Sequence, residues 1–161
     1  MKTIAYIIGG YSFDGKEIKS DIGRRVVKIS DFNDSGWVNK NITRYNGKLS
    51  LEQYALQRND IVIAMTGGTV GKAYHIENMD EVMLLNQRVA SIRAYVFYTR
   101  YLYMVVISPF IQDIINDCKN STNDNISMSD IGNFLIPVPP KCEQVRIIQK
   151  YDKAIASIMS R

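Results

Sequence analysis

The sequence DIVIAMTGGTVGKAYHI, residues 60–76, contains two strand-like runs joined by a glycine-rich turn. Residues 61–65 are apolar and rich in β-branched side chains, which is typical of a strand. Alternation of polar and apolar side chains resumes at residues 72–76, and glycine suits the tight turn between the two runs. The pattern therefore predicts a β-hairpin, or two strands connected through a bulge.

The same glycines, followed by Lys72, invite comparison with a phosphate-binding P-loop. Such a loop needs four residues between its first glycine and the Gly-Lys pair, and a Ser or Thr after the lysine. Here three residues separate Gly67 from Gly71, and Ala73 follows Lys72. We therefore favour a strand connection over a nucleotide site, and a contact between this loop and a phosphate of another kind stays open.

Composition indicates one globular domain. The chain has 161 residues, of which 46% are hydrophobic and 22% charged, enough for a sizeable core. Its longest apolar stretch, around residues 101–107, is interrupted at 108–109 and is much shorter than the roughly 20 residues that span a bilayer. The apolar run at residues 4–8 ends at two glycines before a signal peptide can form. We expect a cytoplasmic protein without a membrane segment.

Residues for metal binding or nucleophilic catalysis are scarce. Cys118 and Cys142 lack metal-binding spacing, and the single histidine, His75, lies in an alternating segment. A surface position, or a side chain with its hydrogen bonds satisfied, is the simpler interpretation of His75. The Pro-Pro at residues 139–140 lacks the flanks of an adenine-methyltransferase motif, and Glu-Ile-Lys at 17–19 lacks a suitably distant acid for a nuclease site. We expect no catalytic residues, no metal and no cofactor.

Positive charge is concentrated in the first half of the chain. The net charge is +4; residues 1–72 contain 11 Lys and Arg against 7 Asp and Glu, whereas residues 73–161 contain 9 of each. A local surplus suits a polyanion such as DNA, and solvated surface charge explains it equally well. Charge alone leaves both interpretations open.

Local patterns predict strands in the first half and helices in the second. Strand-like runs cover residues 3–8, 26–29 and 61–64. Ser50 and Gln53 have capping-box spacing, which predicts a short helix over residues 51–57. A helix is predicted over 98–107, and Ser108 followed by Pro109 suits the start of another. Residues 133–140 read as an extended strand that runs into prolines.

The C-terminal segment has the periodicity of an amphipathic helix. Over residues 142–159 apolar side chains recur at intervals of three and four, and they include Val145, Ile148, Ile155 and Met159. This stripe requires a partner surface, which is either the chain's own domain or a second helix in a coiled coil. The pattern does not distinguish the two.

A series of segments in a fixed order resembles the target recognition domain of type I restriction-modification specificity subunits. They are GYSF (10–13), VVKISDF (26–32), residues 56–63, GTVGK (68–72), LNQRV (85–89), YLY (101–103), STNDNIS (121–127), IPVPP (136–140) and EQVRI (143–147). Each segment is weak evidence by itself, but nine in the right order are specific. The resemblance covers residues 6–155.

This resemblance implies an α/β chain of the α+β type, with a twisted, mostly antiparallel sheet, short flanking helices and a C-terminal spacer-type helix. It implies a DNA target recognition domain at residues 1–140 and the start of a coiled-coil spacer helix at 141–161. The implied function is sequence-specific binding of double-stranded DNA, one half of a bipartite target, without catalysis by this chain. Modification (methyltransferase) subunits and a restriction subunit are the implied partners, with a second recognition domain in cis or in a dimer.

Base readout requires Arg or Lys for guanine and Asn or Gln for adenine. The adjacent Asn86, Gln87 and Arg88 are therefore our first candidates, although Asn86 and Gln87 also suit a structural role at a strand end. Further DNA-binding candidates are chosen by charge and position; they are Ser12, Arg24, Arg25, Arg44, Tyr45, Thr69 and Lys72. Val145, Ile148, Ile155 and Met159 are the candidates for a helix or subunit interface.

Several alternatives stay open at this point. The domain could belong to a fused methyltransferase-endonuclease, or it could be a protein-interaction module that uses the C-terminal stripe and does not bind DNA. A small hydrolase is a more remote possibility. With one recognition domain and a terminal helix of about 20 residues, roughly 30 Å long, the chain could be an excised piece, a cassette for domain exchange, or a half-subunit that dimerises.

Overall fold

The structure is a computed structural model that describes residues 1–18, 21–33, 35–38, 40–119 and 124–159, except the side chains of Lys119 and Met159. The strands within these ranges are β1 (Ala5–Gly9), β2 (Arg24–Val27), β3 (Phe32–Asn33), β4 (Gly36–Trp37), β5 (Thr43–Tyr45), β6 (Ile61–Ala64), β7 (Ala73–His75), β8 (Met83–Leu85) and β9 (Val89–Ala94). The helices are α1 (Thr99–Val106), α2 (Pro109–Lys119), α3 (Met128–Asn133) and α4 (Lys141–Met159). The α+β class predicted from the sequence is confirmed.

The central sheet is antiparallel and has the strand order β1-β9-β6-β7. Its hairpin β6–β7 is the one predicted from residues 60–76, and the connection contains a 3₁₀ turn over Gly67–Thr69. Gly71 has a φ of +86° in this connection, a conformation that residues with a Cβ rarely adopt. The glycines therefore shape a strand connection, as expected.

Strand β6 is buried on both faces. All four of its side chains have 0% exposure. Ile61 and Ile63 pack under the helices with Leu102, Ile111 and other apolar side chains of α1 and α2. Val62 and Ala64 point to the opposite side, into a second core that includes side chains of β2 and β8. A strand buried on both faces is apolar throughout, which explains why residues 61–64 do not alternate.

The second sheet has the order β5-β2-β8. Strands β5 and β2 are antiparallel, whereas β2 and β8 are parallel, with Val27 opposite Leu85. A short ribbon of β3 and β4 carries Trp37, which packs on Tyr74 of β7 in the central sheet. Most strand pairs are thus antiparallel, in agreement with the predicted sheet.

The predicted helix over residues 51–57 is wrong. A single 3₁₀ turn forms at Glu52–Tyr54, and no side chain caps it. Immediately afterwards Ala55 forms a bridge to Leu84, and the Leu56 N–H donates to the Met83 carbonyl over 2.9 Å. The backbone of residues 55 and 56 therefore hydrogen-bonds to β8, so it cannot make the hydrogen bonds of a longer helix.

The predicted strand over residues 133–140 is also wrong. Residue 133 is the last of α3, and residues 134–140 form no regular secondary structure. Prolines at 137, 139 and 140 have no N–H to donate, so the segment cannot form a continuous ladder. Helix α3 itself was missed, although Ser127 and Asp130 form a capping box in which the Asp130 N–H donates to Ser127 Oγ over 3.1 Å.

The other helices lie where the sequence predicts them. Helix α1 falls within residues 98–107, and α2 begins at Pro109, whose predecessor accepts a 3.0 Å bond from the Gln112 N–H through its carbonyl. Helix α4 covers the C-terminal stripe. Its first half packs on the domain through Ile147 and Ile148, and Gln144 is buried and donates to the Pro139 carbonyl over 3.0 Å.

A buried ion pair lies at the start of β6. Asp60 is fully buried and accepts two bonds from Arg93 of β9, Nε to Oδ1 over 2.8 Å and Nη2 to Oδ2 over 2.7 Å. The Gln57 N–H donates to the same carboxylate, and Arg93 also donates to the Ala55 carbonyl. The hydrogen bonds with Asp60 raise the pKa of Arg93, and the bonds to residues 55 and 57 connect the 3₁₀ segment to the central sheet.

The environment of His75 differs from the one predicted from the sequence. The side chain is 7% exposed, so it is neither a surface residue nor a satisfied one, because both ring nitrogens lack a hydrogen-bond partner among the described residues. Nδ1 lies 3.6 Å from a Glu77 carboxylate oxygen, and the ring packs on Tyr103 of α1. Burial lowers the pKa of His75; Glu77 opposes this shift and Arg100 adds to it.

We expect Asp60→Ala to destabilise the protein by about 3 kcal/mol, because it leaves the Arg93 guanidinium without its buried counterion. Glu52→Ala is the matched control, since Glu52 is 69% exposed and pairs with Arg24 at the surface, where an ion pair contributes at most about 1 kcal/mol. Urea unfolding of both variants measures the difference. Equal losses in the two variants would contradict a structural role for the buried pair.

We also expect stability to decrease as the pH falls below about 6.5. The pKa of His75 is lowered in the folded chain, so the unfolded chain takes up the proton first, and the stability present above pH 6.5 is lost on acidification. Urea unfolding between pH 7.5 and 5.5 should show this slope, and His75→Phe should flatten it. Subtracting the pH slope of His75→Phe from that of the original chain removes the contributions of other titratable groups. An unchanged slope in His75→Phe would show that His75 is not responsible.

Candidate nucleic-acid interface

Several strand ends meet at one edge of the two sheets. Strands β1, β2, β6 and β8 finish there, and β7 and β9 begin there. The residue pairs at this end are Gly9 with Ala90, Ala64 with Val89, Ile63 with Ala73, and Val27 with Leu85. We call the segments that leave these strands, together with the loop bonded to them, the loop edge; it comprises residues 10–13, 28–30, 65–72, 86–88 and 124–126.

Backbone hydrogen bonds hold four of these segments side by side. The Gln87 N–H donates to the Tyr11 carbonyl, and the Met65 N–H donates to the Arg88 carbonyl, each over 2.9 Å. The Met65 carbonyl accepts from Ile126 over 2.9 Å, and Thr66 forms a bridge with Asn125. Segments 10–13 and 65–67 therefore both contact the turn 86–88, and segment 124–126 is bonded to 65–67.

Gly10 allows the first two segments to approach. A Cβ at this position would lie 2.1 Å from the Asn86 carbonyl oxygen and 2.6 Å from that of Leu85. Both are backbone atoms, so they cannot move aside as a flexible side chain could. The bond from the Tyr11 N–H to the Leu85 carbonyl, 2.8 Å long, depends on this approach.

The turn 86–88 presents two side chains to solvent. The Asn86 carbonyl accepts from the Val89 N–H over 2.9 Å, and Asn86 Oδ1 accepts from the Arg88 N–H over 3.3 Å. Asn86 thus has a role within the turn. Gln87 and Arg88 are exposed, and their side chains have no bonded partner within the described part of the chain.

A groove separates this turn from the segment that follows β2. It has a volume of about 320 Å³ and is lined by residues 28–30 and 86–88. The Lys28 ammonium at its side donates to the Asn41 carbonyl over 3.1 Å. The nearby Asp31 carboxylate is buried and accepts bonds from the Lys28 N–H and the Ser30 hydroxyl, so it turns away from solvent.

The structure separates the candidate DNA-binding residues into two groups. Those at the loop edge are Ser12, Thr69, Lys72, Asn86, Gln87 and Arg88. Ser12 and Lys72 are exposed, whereas Thr69 is half-buried and its hydroxyl has no partner among the described residues. The second group, Arg24, Arg25, Arg44 and Tyr45, lies on β2 and β5 towards the end of β2 away from this edge.

Residues of the second group have partners within the domain. Arg24 binds Glu52 over 2.6 Å, and Arg44 binds both carboxylate oxygens of Glu81, which lowers the pKa of that glutamate. Arg25 is buried and lies over the Trp37 ring at 5.1 Å. Tyr45 is buried, and its hydroxyl accepts from the Leu49 N–H. These side chains are therefore in contact with other residues of the fold, and Arg25 Nε and Nη2 have no hydrogen-bond partner among the described residues.

Lys28, Ser30 and Asn125 are polar residues of the loop edge that were not among the candidates from the sequence. The end of the strand-like run at 26–29 was a signal for Ser30, since binding residues often follow strands, whereas Lys28 lies inside that run and follows the strand only because β2 ends at Val27. No local signal identifies Asn125, because its place at the edge depends on contacts with Thr66 and Met65, which lie far away in the chain.

Candidates for the helix interface lie on α4. Val145 and Ile148 are half-buried, and Ile148 packs against the core beneath α1. Ile155 is 39% exposed, while the side chain of Met159 lies outside the described residues. Asp152 accepts a 2.6 Å bond from Arg100 of α1, which links α4 to α1.

The described residues contain neither a cluster of metal ligands nor a helix that could span a membrane. Within the described ranges, no group of three or more His, Cys, Asp or Glu side chains could hold a metal ion. Neither Cys118 nor Cys142 forms a disulfide bond. No helix in the described part of the chain has the length and apolar character needed to cross a membrane.

Comparisons with known proteins identify a family. The family model for the type I restriction modification DNA specificity domain matches residues 1–161. The chain is 25% identical over 162 residues to the specificity subunit of the type I restriction enzyme EcoBI from Escherichia coli, covering 99% of this chain and 32% of that protein. It is 28% identical over 160 residues to the EcoAI specificity subunit from Escherichia coli, covering 95% of this chain and 27% of the relative.

Solved structures share the fold. The HsdS subunit from Thermoanaerobacter tengcongensis superposes with a TM-score of 0.72 at 17% identity, over 99% of this chain and 37% of that one. The type I restriction-modification S subunit from M. genitalium gives a TM-score of 0.60 at 11% identity, over 99% of this chain and 41% of that one. The chain spans about a third, or somewhat less, of the length of the EcoBI and EcoAI subunits.

We expect Gly10→Ala to disrupt the loop edge. The new Cβ would overlap the backbone of residues 85 and 86, so the segment 10–13 must move away, at a cost of about 2 kcal/mol or more. Gly68→Ala is the matched control, because a Cβ at Gly68 would have no heavy atom within 4 Å and the φ of Gly68 is not positive. Thermal unfolding should separate the two variants, and similar melting temperatures would show that segment 10–13 does not depend on this approach.

Proposed function

This chain belongs to the type I restriction modification DNA specificity domain family, and from that membership we propose that it reads one half of a bipartite target in double-stranded DNA. The family provides the DNA-recognition component of type I restriction-modification systems and is not catalytic. The chain accordingly directs a complex to its target sequence and does not catalyse the reaction. We place its activity in the cytoplasm, where its DNA and its partner subunits meet.

The observation that carries this proposal is the loop edge. It brings together exposed side chains of the types that recognise DNA, on segments held by backbone bonds to a rigid sheet. Arg donates two bonds to guanine O6 and N7, and Gln pairs with adenine N6 and N7 in the major groove. Arg88 and Gln87 are therefore the base-reading residues in this proposal.

Contacts with the DNA backbone have a different role from contacts with the bases. Phosphate contacts position a protein on DNA without specifying sequence. Lys72 is exposed at the start of β7, and Lys28 lies beside the groove on the other side of the turn 86–88. Both cations lie at the same edge as Arg88, so they can attract the strand whose bases Arg88 reads. Ser12 is a further polar contact on the segment next to Gln87.

Contacts with other protein segments are assigned to a different surface, on α4. The family works with DNA, methyltransferase subunits and restriction subunits in type I complexes. The later part of α4 exposes Tyr151, Ile155 and Ile158, by 37%, 39% and 70%, at helical spacing. We assign this stripe, with Val145 and Ile148 at its base, to contact with a second spacer helix. Residues 141–161 would then form the spacer and residues 1–140 the recognition domain.

Selection of bound duplexes from a random DNA pool tests the function. The whole chain is used alone, and then together with the modification subunits of a type I system. Enrichment of a motif of a few base pairs is expected. If a folded chain enriches no motif under either condition, the proposed function is wrong. Binding that is nearly independent of salt would instead favour an apolar interaction module, since phosphate contacts release counterions.

Two substitutions should separate readout from positioning. Arg88→Ala should relax the preference at one base pair, by about 1–3 kcal/mol, because it removes a bidentate contact. Lys72→Ala should weaken binding to all sequences about equally and reduce the salt slope by about 1, because it removes one phosphate contact. Affinity for selected and altered duplexes, measured over a salt series, distinguishes these results.

Lys153→Ala controls for loss of positive charge, because Lys153 is exposed on α4, away from the loop edge. It should change neither the preference nor, beyond a small long-range effect, the salt slope. If Lys72→Ala and Arg88→Ala reduce affinity identically on every sequence, the assignment of Arg88 to base readout is wrong.

A further inference from the structure

We propose that Gln112 is a positioning residue for DNA binding, because its carboxamide orders the Gly71–Lys72 peptide and thereby directs Lys72 towards a phosphate. The inference rests on the proposed function and extends it. It assigns to helix α2, which contributes no segment to the loop edge, the support of a contact that the loop edge makes. Gln112 and Gly71 are 41 positions apart in the chain, so the link between them arises only in the folded domain.

The Gln112 side chain bonds to two carbonyl groups from different elements. Its Nε2 donates to the Gly71 carbonyl over 3.1 Å and to the carbonyl of Val106, the last residue of α1, over 3.0 Å. A carbonyl oxygen only accepts, so the nitrogen of the carboxamide must face both groups. Gln112 therefore ties the connection between β6 and β7 to the end of α1.

Helix α2 holds this carboxamide in a packed environment. The Gln112 N–H donates to the Ser108 carbonyl over 3.0 Å, and both Ile111 and Ile115 are fully buried in the main core. A Cβ on Gly71 would lie 2.9 Å from Gln112 Oε1 and 3.1 Å from Ile115 Cγ2. Gly71 thus lies directly against α2, at the place where the carboxamide binds its carbonyl.

The peptides on both sides of the Lys72 Cα are fixed. The first accepts from Gln112 through the Gly71 carbonyl, and its N–H donates to the Thr69 carbonyl over 3.0 Å. In the second, the Lys72 carbonyl accepts from the Ala64 N–H over 2.9 Å. Because peptides are planar, fixing both of them fixes the direction of the Lys72 Cα–Cβ bond. The Lys72 side chain is exposed and has no bonded partner among the described residues, so this backbone alone directs it.

Loss of the carboxamide would release the first of these peptides. Gly71 is buried, and a buried carbonyl without a partner is unfavourable, so it would turn towards water. A groove of about 580 Å³, lined in part by Gly71, Lys72 and Gln112, provides the space for this rotation. Glycine adopts many backbone conformations and would not oppose it. Lys72 would then have to be ordered by the DNA itself, at an entropic cost to binding.

A double-mutant cycle between residues 112 and 72 of the whole chain tests the inference, with affinity for selected and altered duplexes measured over a salt series. Gln112→Met keeps the side chain neutral and of similar length and removes its donors. It should weaken binding about two- to tenfold on every sequence, the range for ordering one long side chain. It should also reduce the salt slope, by at most about 1. In a chain that already carries Lys72→Ala, Gln112→Met should cause no further loss.

Hydrogen exchange of the DNA-free chain tests the structural step separately. The Lys72 N–H should exchange about fivefold faster in Gln112→Met, as expected when one hydrogen bond to the same peptide is lost. Gln149→Met is the matched control, because Gln149 is exposed on α4; it should leave this exchange rate, the affinity and the salt slope unchanged. Circular dichroism establishes that each variant is folded. If Gln112→Met does not fold, Gln112→Ala removes the same donors without placing a new group beside Gly71.

The outcomes separate this inference from the function on which it rests. If the original chain enriches no DNA motif, the proposed function fails and the inference fails with it. If a motif is enriched but Lys72→Ala leaves affinity unchanged, or Gln112→Met leaves it unchanged while Lys72→Ala weakens it, the inference alone is wrong. Losses that add in the double variant would show that Gln112 does not act through Lys72. A changed preference at one base pair in Gln112→Met would also overturn the inference, since a phosphate contact does not specify sequence.

Discussion

Strand β6 has four apolar side chains and no exposed face, so it requires a hydrophobic layer on each side. Ile61 and Ile63 need the helices, and Val62 and Ala64 need the second sheet. Burial of each large aliphatic side chain contributes about 1.5–3 kcal/mol, so neither layer can be removed without exposing half of the strand. The two cores, and hence the relative placement of the two sheets, follow from this one strand.

The two ends of β6 are used differently. At its start, Asp60 and Arg93 form a buried pair that also bonds residues 55 and 57, so this end is fixed by polar contacts within the domain. At its other end, β6 continues into the loop edge. Loops on a rigid scaffold can differ in sequence while their positions are kept. A recognition surface needs this combination, because base contacts depend on placement within a fraction of an ångström.

The parts of the fold that were predictable depend on local patterns. The hairpin at residues 60–76 and the helices α1, α2 and α4 have periodicity or turn residues that act within a few positions. The helix predicted over 51–57 failed because β8, which lies much later in the chain, binds that backbone. Burial of His75 and the place of Asn125 likewise depend on elements distant in sequence. For the candidate site, residue type made Gln87 and Arg88 candidates, but only tertiary contacts show that Arg24 and Arg44 have carboxylate partners.

Net charge is a poor guide to the proposed DNA interface, because attraction to DNA depends on cations that are not already compensated. The positive surplus lies in residues 1–72, yet Arg24 and Arg44 in that half are bound to glutamates. Arg88 lies in the half without net charge, and it is exposed and unpaired among the described residues. A carboxylate within about 4 Å cancels most of the field that a phosphate would meet. The loop edge is therefore distinguished by pairing and position, which composition does not record.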